Sequence, residues 1–268
     1  MMLRAMEPDR GLNEATSPIW IRLLGSVLLY KAGKPAPVGA GTKMEALLCL
    51  LGIHHKVGVV REALLTDLWP SQDSVLAAQS LNSLISNVRR QLGPALQGAN
   101  PVLFSGGSYH LNFEAGIGVD VARFEAFVQQ GNQELHRGDR TQAMLSYHRA
   151  IELYHGDLWY GIDIYAIMER ERLRTCHLTV LGQMADYYFE QALYPASLDC
   201  AQRLIASDPC REDAHRLMMR CYVHQGQRAQ ALHHYHFCES LLKTECAIEP
   251  ELATTALYEQ IRQTPESV

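Results

Sequence analysis

The sequence predicts two domains of mostly α-helical character: an N-terminal winged helix-turn-helix of α+β type at residues 18–115, then an all-α, tetratricopeptide-like (TPR-like) solenoid at 116–264. Three observations predict it. Strand-like runs bracket three helical ones before residue 115, the pattern beyond Gly118 is almost wholly helical, and a helix-turn unit recurs there. A length of 268 residues with 47% apolar composition suffices for two modest cores. Residues 1–17 mix charges with Pro, Gly and Asn without an apolar run and read as a disordered leader; 265–268 read as a tail.

From Ile19 the stretch IWIRLLGSVLLYKAGKPAPVGAG alternates with period two and is broken by Gly and Pro, which predicts a small antiparallel sheet. Thr42 with Glu45 three residues on is a capping box opening a first helix. VVREALLTDLW gives a second helix closed by Pro70, with Trp69 expected to anchor the small core. The loop PSQDSVLA (70–77), with a cap expected at Ser74, leads into LNSLISNVRRQLG (81–93). There Leu81, Leu84, Ile85, Val88 and Leu92 fall on one helical face and Gln79, Ser83, Ser86, Asn87 and Arg90 on the other. Two apolar strands then flank the turn Ser105-Gly106-Gly107-Ser108. Sheet, three helices and hairpin, in that order, make the winged-helix plan, whose third helix enters the major groove.

The polar face suits that role. Asn and Gln can read adenine edges, Arg can grip guanine or phosphate, and Ser adapts to either. The bland alternative is a solvated surface helix. Charge distribution favours the first reading, since 18–115 carry eight Lys+Arg against five Asp+Glu, whereas 116–268 carry fourteen against twenty-one.

In the second half, segments 138–153, 193–209 and 226–242 each start at a turn and place a small residue, Ala143, Ser197 or Ala231, where helices would cross. The last two lie 34 residues apart, the tetratricopeptide period. Tyr147, Tyr187, Tyr188, Tyr222 and Tyr235 occupy expected core positions. His234 and Cys238 share a helical face but lack two further ligands, so no metal and no cofactor is expected. ERERLR (169–174), with Asp157 and Asp163 nearby, reads as a salt-bridged face rather than an acid/base pair. No nucleophile elbow, phosphate loop or dinucleotide fingerprint occurs, so an enzyme is not expected. The seven cysteines contain no CxxC pair and read as reduced, mostly buried thiols. No apolar run is long enough to span a membrane, and a cytoplasmic location is expected.

Residues 19–113 resemble the OmpR/PhoB-type winged helix as it occurs in the Streptomyces antibiotic regulatory protein (SARP) family, through SLNSLISNVRRQLG. The second half resembles that family's bacterial transcriptional activator domain through VDVARFE (119–125), AIELYHGDLWYG (150–161), ERERLR and DPCREDAHRLMMRCYVHQGQRAQALHHYHFCESLL with AIEPE (247–251). The resemblance implies an activator that binds repeated sites in double-stranded promoter DNA as a homodimer or oligomer and recruits RNA polymerase. The implied DNA contacts are Lys43, Gln79, Ser83, Ser86, Asn87, Arg89 and Arg90, with Ser105, Gly106, Gly107 and His110 in the wing. The implied polymerase loop is Ser71, Gln72, Asp73 and Ser74. Two positions depart from the pattern: Asn87 stands where such helices usually carry Arg, and the wing reads SGGSYHL, with Ser108 in place of a Gly. Fewer cations imply weaker, less salt-sensitive DNA binding. The alternative reading is a TPR-type interaction adaptor with a degenerate winged helix; a helical half that binds a small-molecule effector is compatible with either.

Overall fold

The computed structural model describes residues 17–37, 42–158 and 164–267. The expected leader lies outside the described residues except for Ser17, which is buried, and Asp163 also lies outside them. The chain divides into two compact units, Met1–Leu173 and Arg174–Val268.

In the first unit, β1 (Ile19–Arg22), β2 (Leu28–Lys31) and β3 (Lys34–Ala36) form an antiparallel meander in which Ile19 faces Lys31 and Leu29 faces Ala36. Next comes α1 (Lys43–Ile53), opened by Thr42, whose hydroxyl accepts the Glu45 N–H at 3.3 Å. Met44, Ala46–Ile53 of this helix are all buried, which makes it the centre of the unit. The stretch expected to begin the second helix differs: Val59–Val60 form strand β4, and α2 spans Arg61–Leu68. Val59 pairs with Tyr109, so backbone pairing to the hairpin outweighs helix formation by two β-branched residues.

The third helix, α3 (Ser74–Leu92), starts well before residue 81 and absorbs half of the expected loop, leaving 70–73. Its cap is Asp73 rather than Ser74: the Asp73 carboxylate accepts the Val75 N–H at 2.9 Å. A carboxylate at a helix N-terminus also meets the positive end of the dipole. Strands β5 (Val102–Ser105) and β6 (Ser108–Leu111) make the expected hairpin, and β4 completes a sheet of order β4-β6-β5.

A strand absent from the sequence reading, β7 (Ile117–Val119), adds to β1 in parallel and gives the first sheet the order β3-β2-β1-β7. Three residues are too short for alternation to be visible. The indole of Trp20, 2% exposed, rests on Gly118, where any side chain would collide with it. Of the described tryptophans, Trp20 is the buried one, and Trp69 is only half-buried because it sits at the open edge between α2 and α3.

Immediately after β7 comes α4 (Asp120–His136), paired with α5 (Arg140–Leu153). Asp120 is buried, and its carboxylate accepts N–H groups of Leu23 (2.8 and 2.9 Å), Leu24 (2.8 Å) and Val121 (2.8 Å). Glu125, one turn further along, forms ion pairs with His55 (3.3 Å), Lys56 and Arg172. Arg172 lies in α6 (Ile164–Glu190) and also pairs with Glu169 at 2.8 Å, so ERERLR does form the expected ionic face.

The second unit continues along α6 into α7 (Tyr194–Ser207), α8 (Glu212–His224), α9 (Arg228–Leu241) and α10 (Leu252–Gln263). Ser197 and Ala231, like Ala143 in the first unit, are fully buried at helix crossings. Ser197 donates to the Ala185 carbonyl at 2.9 Å, which satisfies its hydroxyl inside the core. Tyr147, Tyr222 and Tyr235 are buried, and Tyr187 and Tyr188 are half-buried. The buried Glu212 carboxylate accepts the Glu251 N–H (2.9 and 3.1 Å) and the Thr254 hydroxyl (2.5 Å), fixing α10 to α8.

The cysteines correct one expectation. Cys210 and Cys246 form a disulfide, because the turn into α8 and the end of the turn after α9 meet where the two antiparallel helices lie side by side. Among the rest, Cys49, Cys200, Cys221 and Cys238 are buried thiols.

Glu125 gives a pH-dependent prediction. Burial raises its pKa, but hydrogen bonds from His55, Lys56 and Arg172 outweigh burial and hold it at about 2. A depressed carboxylate pKa stabilises the fold above the ordinary value and loses that effect as pH falls through the folded one. Glu125→Gln should therefore destabilise the protein by about 2 kcal/mol at pH 7. Urea midpoints of the two proteins should converge as pH falls from about 4.5 toward about 2.

Candidate nucleic-acid interface

Helix α3 buries Ala77, Leu81, Ile85, Val88 and Leu92 and turns Gln79, Asn82, Ser83, Ser86, Arg89 and Arg90 outward. Spacings of three and four residues place these groups along one face of a rod about 28 Å long. Asn82, Ser83, Ser86, Asn87 and Arg90 line a shallow surface groove of about 420 Å³. Four of these five were named from the sequence. Asn82 was missed although it is exposed, since it sits at the edge of the polar stripe beside Leu81.

Asn87 behaves differently from its neighbours. It is half-buried, and its Oδ1 accepts from Arg90 Nη2 at 2.9 Å and from Gln91 Nε2 at 3.3 Å. That oxygen is therefore engaged in holding the Arg90 guanidinium in place. Arg89 and Arg90 lie in the last turn, where cations oppose the negative end of the helix dipole. Lys31, which no local pattern in the sequence indicates, donates from β2 to the Gln91 carbonyl at 3.1 Å and adds a third cation at this end.

The wing turn at Ser105, Gly106 and Gly107 is exposed, with φ of 59° and 84° at the two glycines, the conformation a tight hairpin requires. His110 departs from the other wing residues. It is half-buried and its ring packs on Gly58, toward the turn between α1 and β4. Lys43 is exposed at the first position of α1. Ser71, Gln72, Asp73 and Ser74 are all exposed around the α3 cap, and Gln72 and Ser74 border an apolar hollow of about 290 Å³ with Leu65, Trp69, Pro70 and Ala77.

His234, weighed earlier with Cys238 as a ligand pair, instead meets His215, with Nε2 3.0 Å from His215 Nδ1. His215 Nε2 lies 3.0 Å from the Pro209 carbonyl, which can only accept, so that nitrogen carries the proton. Burial, then His215 and His233, push the His234 pKa down to about 4. Among the described residues no group of three or more His, Cys, Asp or Glu side chains is placed to hold a metal ion, and no helix is long and apolar enough to cross a membrane.

The family model of the bacterial transcriptional activator domain matches residues 119–262. The regulatory protein AfsR of Streptomyces coelicolor is 24% identical over 94% of this chain, which spans 25% of the length of AfsR. The transcriptional regulatory protein MoaR1 of Mycobacterium tuberculosis is 26% identical over 95% of this chain and 83% of its own length. The regulatory protein DnrI of Streptomyces peucetius is 26% identical over 86% of this chain and 87% of its own. All three relatives are regulatory proteins. The solved structure of Mycobacterium tuberculosis EmbR in complex with a low affinity phosphopeptide superposes with a TM-score of 0.70 at 22% identity, covering 94% of this chain and 68% of that one. This likeness is one of fold.

The α3 cap yields a paired prediction. Asp73→Ala should lower stability by about 1 kcal/mol, while Ser74→Ala should change it by less than about 0.5 kcal/mol. Thermal unfolding of the two variants checks which residue holds the helix start.

Proposed function

Because the chain belongs to the SARP family of transcriptional regulators, with a bacterial transcriptional activator domain over residues 119–262, we propose that it binds double-stranded promoter DNA and activates transcription. The observation that carries this reading is the exposed polar face of α3, with Arg90 held ready by Asn87. On this reading α3 enters the major groove, with Gln79, Asn82, Ser83 and Ser86 available to base edges and Arg90 to guanine or phosphate. Arg89, Lys43 and the wing turn at Ser105, Gly106 and Gly107 contact the sugar-phosphate backbone. His110 supports the wing from behind rather than touching DNA. The exposed segment Ser71, Gln72, Asp73 and Ser74 contacts RNA polymerase, and the helical half mediates a homodimer or oligomer on promoter repeats. The protein acts in the cytoplasm.

The adaptor reading keeps one observation in its favour, the small number of cations on the α3 face: Arg89 and Arg90, with Lys31 at its end. Gel-shift measurements on DNA upstream of the protein's own gene, at low and moderate salt, separate the two. The activator reading expects affinity that falls with salt and drops about tenfold in Arg90→Ala, with a salt slope shallower by roughly one unit if that arginine meets phosphate. Retained self-association with no binding to any duplex at low salt would establish the adaptor instead.

A further inference from the structure

A groove of about 520 Å³ opens among α6, α7 and α8 of the second unit, within the size range of ligand clefts, roughly 300–1,000 Å³. Its chemistry inverts that of its surroundings. Residues 116–268 carry twenty-one acidic against fourteen basic side chains, yet the groove is walled by Arg211, Arg216 and Arg220 against Asp186 and Asp213.

The three arginines are not equivalent. Arg211 is engaged by Asp213, Nε to Oδ1 at 2.9 Å and Nη2 to Oδ2 at 3.1 Å. Arg216 donates to Glu251 and Thr254 at 2.8 Å each. Arg220 is exposed and makes no hydrogen bond or ion pair with the described residues, its interaction with Asp186 being long-range only. On the facing helix, Gln183 Oε1 is buried without a donor, a rarity in native interiors. Burial, then Asp213 and Glu190, raise the pKa of the exposed Asp186 beside it, while Arg211 and Arg220 lower it.

One wall therefore presents Arg220 with no anion paired to it, and the other presents one acceptor, Gln183 Oε1, without a donor. A phosphate dianion would satisfy the first but would bring double charge beside Asp186 and Asp213. A polypeptide with acidic side chains supplies both: a singly charged carboxylate for Arg220 and a backbone amide for Gln183. We propose that this groove binds an extended acidic peptide segment, a carboxylate seated against Arg220 and a backbone N–H donated to Gln183.

The test uses the full chain and fluorescence anisotropy with a labelled peptide of alternating Glu and Ala, beside the same peptide with Gln for Glu. The Glu peptide should bind at least about tenfold more tightly than the Gln peptide, Arg220→Ala should remove about tenfold, and Gln183→Met should weaken binding severalfold. Arg137→Ala, an exposed arginine in the first unit, should change nothing. Both groove variants are checked for unchanged thermal unfolding, so that a loss reports the groove rather than the fold. Equal binding of the two peptides, indifference to Arg220→Ala, or displacement of the Glu peptide by inorganic phosphate or by a DNA duplex at matched charge overturns the proposal.

Discussion

The first unit is organised around one buried carboxylate. Asp120 opens α4, yet three of its four hydrogen bonds reach back nearly a hundred residues to the N–H groups of Leu23 and Leu24 at the end of β1. A backbone N–H buried without an acceptor costs about 1–3 kcal/mol, so the chain following β1 and the start of α4 hold each other in place. Burial pushes the Asp120 pKa up to about 7, while those same N–H groups pull it down. Beside it, β7 pairs with β1 and presents Gly118 to Trp20. The sheet that begins the winged helix is thus completed by the residues that begin the helical half.

Glu125 extends the same logic by one helical turn. His55 and Lys56, from the turn after α1, converge on it with Arg172 of α6. Helices α2 and α3 both pack on α1, and α1 packs in turn on α4, which carries Asp120 and Glu125. Within α3 itself the division of labour is simple. The buried stripe fixes the rotation of the rod, Asp73 fixes where it begins, and Asn87 fixes the direction in which Arg90 points.

Much of this could be read from the chain, and the failures have physical causes. Helical periodicity exposed α3, the capping box located the start of α1, and the Gly106-Gly107 pair between two apolar runs located the wing turn, because each signal is local. The small residues Ala143, Ser197 and Ala231 marked helix crossings for the same reason. What escaped depends on partners distant in sequence: β4 and β7 are strands only because β6 and β1 are there to pair with them, and Lys31 joins the α3 terminus only through the fold. Trp69 and Trp20 are alike in composition terms, and only packing distinguishes the edge residue from the core one. His110 alternates with Tyr109 as a wing residue should, but no local pattern shows that its ring turns to Gly58.

The covalent bond between Cys210 and Cys246 encloses α8 and α9 in a ring spanning a sequence separation of 36 residues. By chain-entropy arguments, closing a ring of that size removes about 4 kcal/mol of freedom from the denatured ensemble. Thiol reductants open the ring and return that freedom, so the endurance of the last helical hairpins against heat and denaturant is tied to the electron balance of the surrounding solution.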